Sequence, residues 1–379
     1  MPTIVARRYD TLRPIELEIA AGRISRISPV SDDAELPLIA PGLVDLQING
    51  FGSIEFNDPE LTIEKVRQVA LSQDRFGVTA FLATCTTDSH EVFHHALATI
   101  ARAIGELPEV AARTRGIHLE GPFISPDDGP RGAHPKPHVR PPDWDEFQRL
   151  QAAAQGLIKL TTVSPEYDNA PDFIRRVATS GVLVAIGHTK ATSDQIKAAV
   201  DAGARMSTHL GNGAHPTIRR HPNYIWDQLA EDRLVASLIV DGHHLPPAVV
   251  KSMIRAKTPQ RIVLVSDITS MGGMPPGRYK TGLGELEVLA SGKLVLASQP
   301  ELLAGASLPI HACVANVMQF GGVDLATAID MASRRPAELI GLAHDGLEVG
   351  APADLFVFDL PTTAGQPLGI RATYHRGQK

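Results

Sequence analysis

Eight short runs of β-branched and other apolar residues alternate with longer Ala-rich stretches of amphipathic helical pattern. Strands that are apolar on both faces and are separated by helices are typical of a parallel sheet covered by helices. Eight such units over about 225 residues predict an α/β fold, a (β/α)8 TIM-like barrel. The runs are 42–48, 77–84, 116–122, 157–165, 181–189, 204–210, 234–242 and 261–269.

The two ends of the chain have a different pattern. "IELEIAAGRISRISP" near the start and "GLEVGAPADLFVFDL" near the end alternate apolar and polar residues. This period of two is typical of antiparallel strands with one face in solvent. We therefore predict a small β-sandwich domain formed by residues 1–40 and 345–379, with the barrel over 41–344.

Composition excludes several classes of partner. The net charge is −6 and no basic stripe contains interleaved aromatic residues, which argues against nucleic acid. No apolar run approaches the roughly 20 residues that span a bilayer, and the first residues lack a secretion signal. The two cysteines have no CxxC spacing, which suits a reducing compartment. We predict a cytoplasmic protein with a small-molecule partner, no nucleic acid and no membrane.

Four potential metal ligands or catalytic groups follow predicted strands, at the end of a barrel where active sites lie. They are Glu120, His188, His209 and Asp267. Any one of them alone could be a structural residue. Together, one Glu and two His leave a fourth position open on a divalent ion, the pattern of a catalytic zinc site. Asp267 could then take a proton from water held there.

Several motifs, in this order, resemble the N-acetylglucosamine-6-phosphate deacetylase family of the amidohydrolase superfamily. They are "HLEGPF", "GAHPKPHV", "IGHTKAT", "STHLGN", "DGHH" and "VSDIT", and the likeness continues through 304–317 and 332–342. The resemblance implies a metal-dependent hydrolase barrel that converts N-acetylglucosamine 6-phosphate to glucosamine 6-phosphate and acetate. It also implies a homodimer.

The resemblance implies a role for each matching residue. Glu120, His188 and His209 match the ligands of one divalent metal ion per subunit, with Zn²⁺ first and Fe²⁺, Co²⁺ or Mn²⁺ open. Asp267 matches the general base that later acts as the acid, and His134 the residue that polarises the acetyl carbonyl. The hypothesis is that the metal and Asp267 generate hydroxide, which attacks the amide carbonyl held between the metal and His134.

The substrate-binding positions of the family match Asn212, Gly213, Arg220 and His244. The following segment departs from the family pattern, since residues 219–234 read "RRHPNYIWDQLAEDRL". Its Trp226 is interpreted as a core or dimer contact, or as part of a changed substrate pocket. The segment 269–282 also differs, and Met271 there could line the acyl pocket or pack within the loop.

The first predicted strand ends in Gln47 and Asn49, where binuclear relatives have His-x-His. Those histidines hold a second metal, which a mononuclear site does not need. Gln47 and Asn49 lie on the same face of the strand and are expected to fill this volume with neutral hydrogen-bonding groups. The sequence therefore predicts one metal per active site.

Three alternatives remain open. The same fold and mechanism could act on another N-acyl amino sugar or on an N-acyl amino acid. A non-catalytic barrel that serves as a scaffold would not need the ligand set. A binuclear enzyme like dihydroorotase would need a lysine at the end of the fourth strand, where only the early Lys159 is present.

Overall fold

The computed structural model of the protein describes residues 3–32, 35–281, 284–344 and 346–379. Its central feature is an eight-stranded sheet whose parallel strands pair in chain order. A single bridge between Ile48 and Ile268 links the first strand to the segment after the eighth, so the barrel is nearly closed. The predicted barrel is confirmed. Its strands are Leu43–Ile48, Val78–Thr86, Thr114–Glu120, Ile158–Val163, Leu183–Ile186, Met206–Ser207, Val235–Leu238 and Ile262–Leu264.

Helices with an apolar face cover the outside of the barrel. In the helix Ala170–Thr179 the buried residues are Ala170, Phe173, Ile174 and Val177, the spacing of one helical face. No helix among the described residues is long and apolar enough to cross a membrane. The helices are Ile63–Ser72, His90–Glu106, Pro108–Arg113, Trp144–Ala153, Ala170–Thr179, Ser193–Ala202, Tyr224–Ala230, Pro247–Lys257, Ile310–Gly321, Leu325–Met331 and Arg334–Leu339, with 3-10 turns at Gln73–Phe76, Lys136–His138 and Pro259–Arg261.

Both chain ends meet in one six-stranded sheet, as their alternation predicts. The strand Leu355–Asp359 pairs antiparallel with Leu38–Pro41, which ties the end of the chain to the segment that enters the barrel. The predicted boundary at residue 345 lies outside the described residues. In spatial order the strands are Gly369–Tyr374, Leu355–Asp359, Leu38–Pro41, Thr3–Arg8, Pro14–Ala20 and Arg23–Pro29.

A four-stranded antiparallel sheet lies between the eighth barrel strand and the helix Ile310–Gly321, and the sequence reading missed it. The alternation in "GELEVLASGKLVLAS" is its signal. Met271 is buried in the small core of this sheet, which favours packing over a role in an acyl pocket. The strands are Gly277–Thr281, Gly284–Val288, Leu294–Leu296 and Gln299–Leu303, and a short hairpin joins Gly50–Phe51 to Ile54–Glu55.

An ionic network joins the terminal sheet to the barrel. Arg113 forms a two-pronged ion pair with Asp74, at 2.7 Å from Nε to Oδ1 and 2.6 Å from NH2 to Oδ2. Nε2 of His375, just after the last strand, lies 2.8 Å from Oδ1 of the same carboxylate. Burial favours the neutral acid, but the hydrogen bonds from His375 and Arg113 outweigh it and lower the pKa of Asp74.

We predict that Asp74→Ala lowers the free energy of unfolding by about 1.5–3 kcal/mol at pH 7, the usual size of charged hydrogen bonds. Because its folded-state pKa is lowered, Asp74 stabilises the fold above its ordinary pKa of about 3.9 and loses this effect as pH falls further. Urea unfolding at pH 7 and pH 3 measures the difference. Asp172→Ala, which removes exposed pairs with Arg175 and Arg176, is the control. Equal losses in both variants would contradict the prediction.

Candidate active site

Three potential ligand atoms converge at the carboxyl ends of the third, fifth and sixth barrel strands. Oε1 of Glu120 lies 3.1 Å from Nε2 of His188 and 3.0 Å from Nε2 of His209. The two Nε2 atoms are 3.1 Å apart. All three side chains are buried. The structure therefore brings the three residues predicted from the strand ends, Glu120, His188 and His209, together at one point.

Three residues of the candidate site have backbone conformations that side chains rarely adopt. The φ angles are 48° at His188, 28° at His209 and 54° at Asp267. Such residues cost about 1–3 kcal/mol each and persist only where the surroundings hold them. Each follows a barrel strand by two or three residues, so the chain turns sharply there and aims the side chain at the mouth of the barrel.

The donor set fits a divalent metal ion. The Nδ1–H of His188 donates to the carbonyl oxygen of Pro130 at 2.8 Å, which leaves the lone pair of Nε2 for a ligand. Burial favours a neutral Glu120, but the neighbouring His188 and His209 rings hold its pKa well below the ordinary value, so it is an anion. Ligand distances of about 2.0–2.1 Å in a tetrahedral zinc site would require only a small expansion of the present separations.

His134 lies beside this set, and Glu120, His134 and His188 also form a group whose possible ligand atoms lie within 4.8 Å of one another. Its other contacts favour a different role. Nδ1 of His134 accepts the backbone N–H of Thr87 at 3.4 Å and lies 2.9 Å from the Thr87 hydroxyl, which can donate to it, so we assign the proton of the neutral ring to Nε2. Burial and the neighbouring His188 lower the pKa of His134 to about 3, so it stays neutral. A neutral ring with Nε2–H can donate to a carbonyl oxygen.

Gln47 and Asn49 hold the carboxylate of Asp267. The side-chain amides of Gln47 and Asn49 donate to Oδ1 of Asp267 at 3.0 Å and 2.7 Å. Burial and the negative charge of Glu120 raise the pKa of Asp267, so the group can carry a proton at accessible pH. The two residues thus do more than fill the volume of the missing histidines: they fix one oxygen of Asp267 and leave Oδ2 for chemistry.

The four predicted substrate-binding residues lie on loops after the sixth and seventh barrel strands. The amide of Asn212 donates to the carbonyl of His209 at 3.3 Å. Arg220 is exposed, and its side chain has no hydrogen bond or ion pair within the described residues. The Nδ1–H of His244 donates to Oδ2 of Asp241 at 2.8 Å, which fixes the ring and leaves Nε2 available.

Comparisons with known proteins show which family the chain belongs to. Residues 38–375 match the Amidohydrolase family. N-acetylglucosamine-6-phosphate deacetylase from Bos taurus is 34% identical over 93% of this chain and 86% of that protein. N-acetylgalactosamine-6-phosphate deacetylase from Escherichia coli O157:H7 is 33% identical over 86% of this chain and 85% of its own length.

Solved structures similar to this chain include N-acetyl-D-glucosamine-6-phosphate deacetylases. A variant of N-acetyl-D-glucosamine-6-phosphate deacetylase from Mycobacterium smegmatis, in complex with N-acetyl-D-glucosamine-6-phosphate, has a TM-score of 0.86 at 29% identity. The match covers 100% of this chain and 99% of that chain. This chain belongs to the N-acetylglucosamine-6-phosphate deacetylase family. It is a hydrolase of carbon–nitrogen bonds with the amidohydrolase fold and a potential site for a divalent metal.

Sequence reasoning missed some residues of this deacetylase site. Asp241 stands in the "DGHH" motif, and its carboxylate before two histidines was the available signal. No sequence pattern marks Thr87, because its contact with His134 joins two loops that are distant in the sequence. His118 lies on the third barrel strand, and its Nε2 lies 2.8 Å from the hydroxyl of Thr162 inside the barrel.

The interpretation of Trp226 as a core residue is wrong. The residue is 55% exposed on the helix Tyr224–Ala230. The dimer contact stays a prediction.

We predict that Gly213→Ala weakens binding of a divalent metal by roughly tenfold or more, because its methyl group would displace the His188 ring. A Cβ atom at Gly213 would lie 2.7 Å from Nδ1 of His188. Gly156 is the matched control, since it also has a positive φ but has no atom within 4 Å of an added Cβ. Gly156→Ala should share the backbone strain and keep wild-type metal affinity. Equal metal affinity of the two variants in a chelator competition would refute the prediction.

Proposed function

We propose that this chain deacetylates N-acetylglucosamine 6-phosphate to glucosamine 6-phosphate and acetate. The observation that carries the proposal is the convergence of Glu120, His188 and His209 beside Asp267 and His134. This set combines a cation site, a carboxylate and a neutral hydrogen-bond donor at one point. A relative named N-acetylglucosamine-6-phosphate deacetylase, 34% identical over 93% of this chain, supports the same substrate.

Glu120, His188 and His209 would hold one divalent ion, and their oxygen and nitrogen donors suit Zn²⁺ first. When bound, the ion supplies Lewis acidity and lowers the pKa of water, which amide hydrolysis near neutral pH requires. Gln47 and Asn49 replace the ligands that a second ion would use. The proposal is therefore one ion per chain.

The chain's own groups move the protons. Asp267 is held at Oδ1 by Gln47 and Asn49, so Oδ2 is the oxygen that takes a proton from the attacking water. The raised pKa of Asp267 lets it keep this proton and then deliver it to the leaving amine. The Nε2–H of His134 donates to the acetyl carbonyl oxygen, where negative charge develops.

The sugar phosphate would bind at the loops after the sixth and seventh strands. Arg220 is free to form charge-assisted hydrogen bonds to a phosphate, and Nε2 of His244 and the amide of Asn212 offer further polar contacts. The backbone of Gly213 completes the set. The relative that acts on N-acetylgalactosamine 6-phosphate supports a second candidate, the epimeric sugar. We also expect a cytoplasmic homodimer, with the exposed Trp226 as a contact.

A substrate panel tests the proposal. We expect cleavage of N-acetylglucosamine 6-phosphate to exceed that of its galactosamine epimer, and both to exceed unphosphorylated N-acetylglucosamine. Arg220→Gln should lower kcat/KM for the phosphorylated sugar by about 10- to 100-fold, from the loss of one charged hydrogen-bond partner. Arg219→Gln is the matched control and should stay near wild type. Equal cleavage of free and phosphorylated sugar would refute the Arg220 and His244 assignments.

Asp267→Asn tests the proton-transfer role. We predict that the variant keeps one metal ion per chain while kcat falls by about 10²–10⁴-fold, the usual effect of losing a general base. Asn49→Ala, which removes one of the two donors to Oδ1, should cause a smaller loss in the same direction. Metal analysis and initial rates on the same preparations measure both effects. Normal metal content with near-normal turnover in Asp267→Asn would contradict the assignment, and two ions per chain would contradict the mononuclear site.

A further inference from the structure

Glu166 follows the fourth barrel strand and binds groups from three neighbouring loops. Its Oε1 accepts from the hydroxyl of Ser125 at 2.9 Å. Its Oε2 accepts from the hydroxyl of Ser164 at 2.8 Å and from the backbone N–H of Lys190 at 2.9 Å. These donors follow the third, fourth and fifth strands, so one carboxylate joins three consecutive strand ends. We call this set the Glu166 hub.

Thr189 joins the hub through a chain of hydroxyl groups. Its Oγ1 lies 2.8 Å from the hydroxyl of Ser164 and 3.4 Å from Oε2 of Glu166. The two hydroxyl groups and the Glu166 carboxylate therefore form one hydrogen-bonded cluster. Oγ1 of Thr189 in turn accepts the backbone N–H of Ala191 at 2.9 Å. The residues that follow His188 are therefore fixed by both side-chain and backbone groups.

His188 lies between the anchored segments. Its carbonyl oxygen accepts the backbone N–H of Ser125 at 2.9 Å, and its Nδ1–H donates to Pro130 in the same loop. Thr189 and Lys190, which come next in the chain, are held by the hub. Both the chain after His188 and the loop that binds its backbone and ring are thus tied to one carboxylate.

The strained backbone conformation of His188 needs neighbouring contacts to hold it. A left-handed φ of 48° is unfavourable for a histidine and relaxes unless its neighbours prevent it. Relaxation would swing Nε2 away from Glu120 and His209. Charge-assisted hydrogen bonds to a carboxylate are strong enough to hold such a turn.

We propose that Glu166 is a positioning residue that keeps His188 in its metal-binding conformation. This inference rests on the proposed metal site. Glu166 does not itself touch the three ligand atoms in this arrangement; it acts through Ser125, Ser164 and the backbone of Lys190. Its expected effect is therefore on metal affinity, and the chemistry of the loaded site should change little.

The test is the affinity for Zn²⁺ alone, measured by competition with a chromophoric chelator. Glu166→Ala should raise the dissociation constant by roughly 10- to 100-fold, as loss of groups that orient metal ligands commonly does. Glu166→Gln keeps an acceptor oxygen for Ser164 and Lys190 but loses the negative charge, so its dissociation constant should lie between those of the wild type and Glu166→Ala. Saturating Zn²⁺ should restore kcat in Glu166→Ala, which a general loss of structure would not allow.

Asp330→Ala is the matched control, because this partly buried carboxylate has hydrogen bonds to Arg334 and Tyr9 and not to the site. It should keep wild-type affinity for Zn²⁺. If Glu166→Ala does not fold, Ser125→Ala removes one arm of the hub and should weaken binding in the same direction, though less.

Wild-type affinity in Glu166→Ala would overturn the inference, and so would a loss in Glu166→Gln as large as in Glu166→Ala. A wrong metal-ligand assignment can be distinguished from a wrong role for Glu166. If His188→Ala bound Zn²⁺ as tightly as the wild type, the ligand assignment itself would be wrong, and the inference about Glu166 would fall with it.

Discussion

A parallel barrel brings the carboxyl ends of all its strands to one rim, and the candidate site depends on this constraint. Glu120, His188, His209 and Asp267 are far apart in the chain, yet each ends or follows a barrel strand. The strand backbone places each side chain near the rim. The sharp turns at His188, His209 and Asp267 then direct the side chains inward, at a cost in backbone strain that the loops must offset.

The first barrel strand and the residue after it carry two neutral amides, Gln47 and Asn49, where binuclear relatives carry histidines. Gln47 and Asn49 are neutral, and both donate to one oxygen of Asp267. Histidines at these positions would offer lone pairs to a cation, whereas these amides offer protons to a carboxylate. The residues that stand where binuclear relatives have metal-binding histidines therefore hold one oxygen of the proposed base.

The sequence predicted the barrel and the position of the metal-binding set because both depend on local patterns. Apolar runs mark the strands, and the polar residues at their ends mark the rim. Roles that depend on contacts between loops could not be predicted. The proton position on His134 follows from Thr87, and the orientation of His244 follows from Asp241; neither partner can be chosen from spacing alone. The four-stranded sheet formed by Gly277–Thr281, Gly284–Val288, Leu294–Leu296 and Gln299–Leu303 was not predicted, although the alternation of apolar and polar residues is its local signal.

The hydrogen bonds around the two candidate histidine ligands show which ring the fold orients more firmly. His188 is fixed through its ring, its carbonyl and the residues after it, all by groups on neighbouring loops. Nδ1 of His209, in contrast, is buried without a hydrogen-bond partner among the described residues. A ligand whose second nitrogen is unpaired has weaker orientation and lower basicity than one that donates to a carbonyl. The fold therefore orients the ring of His188 through Nδ1, whereas the orientation of the His209 ring should depend more on a bound ion.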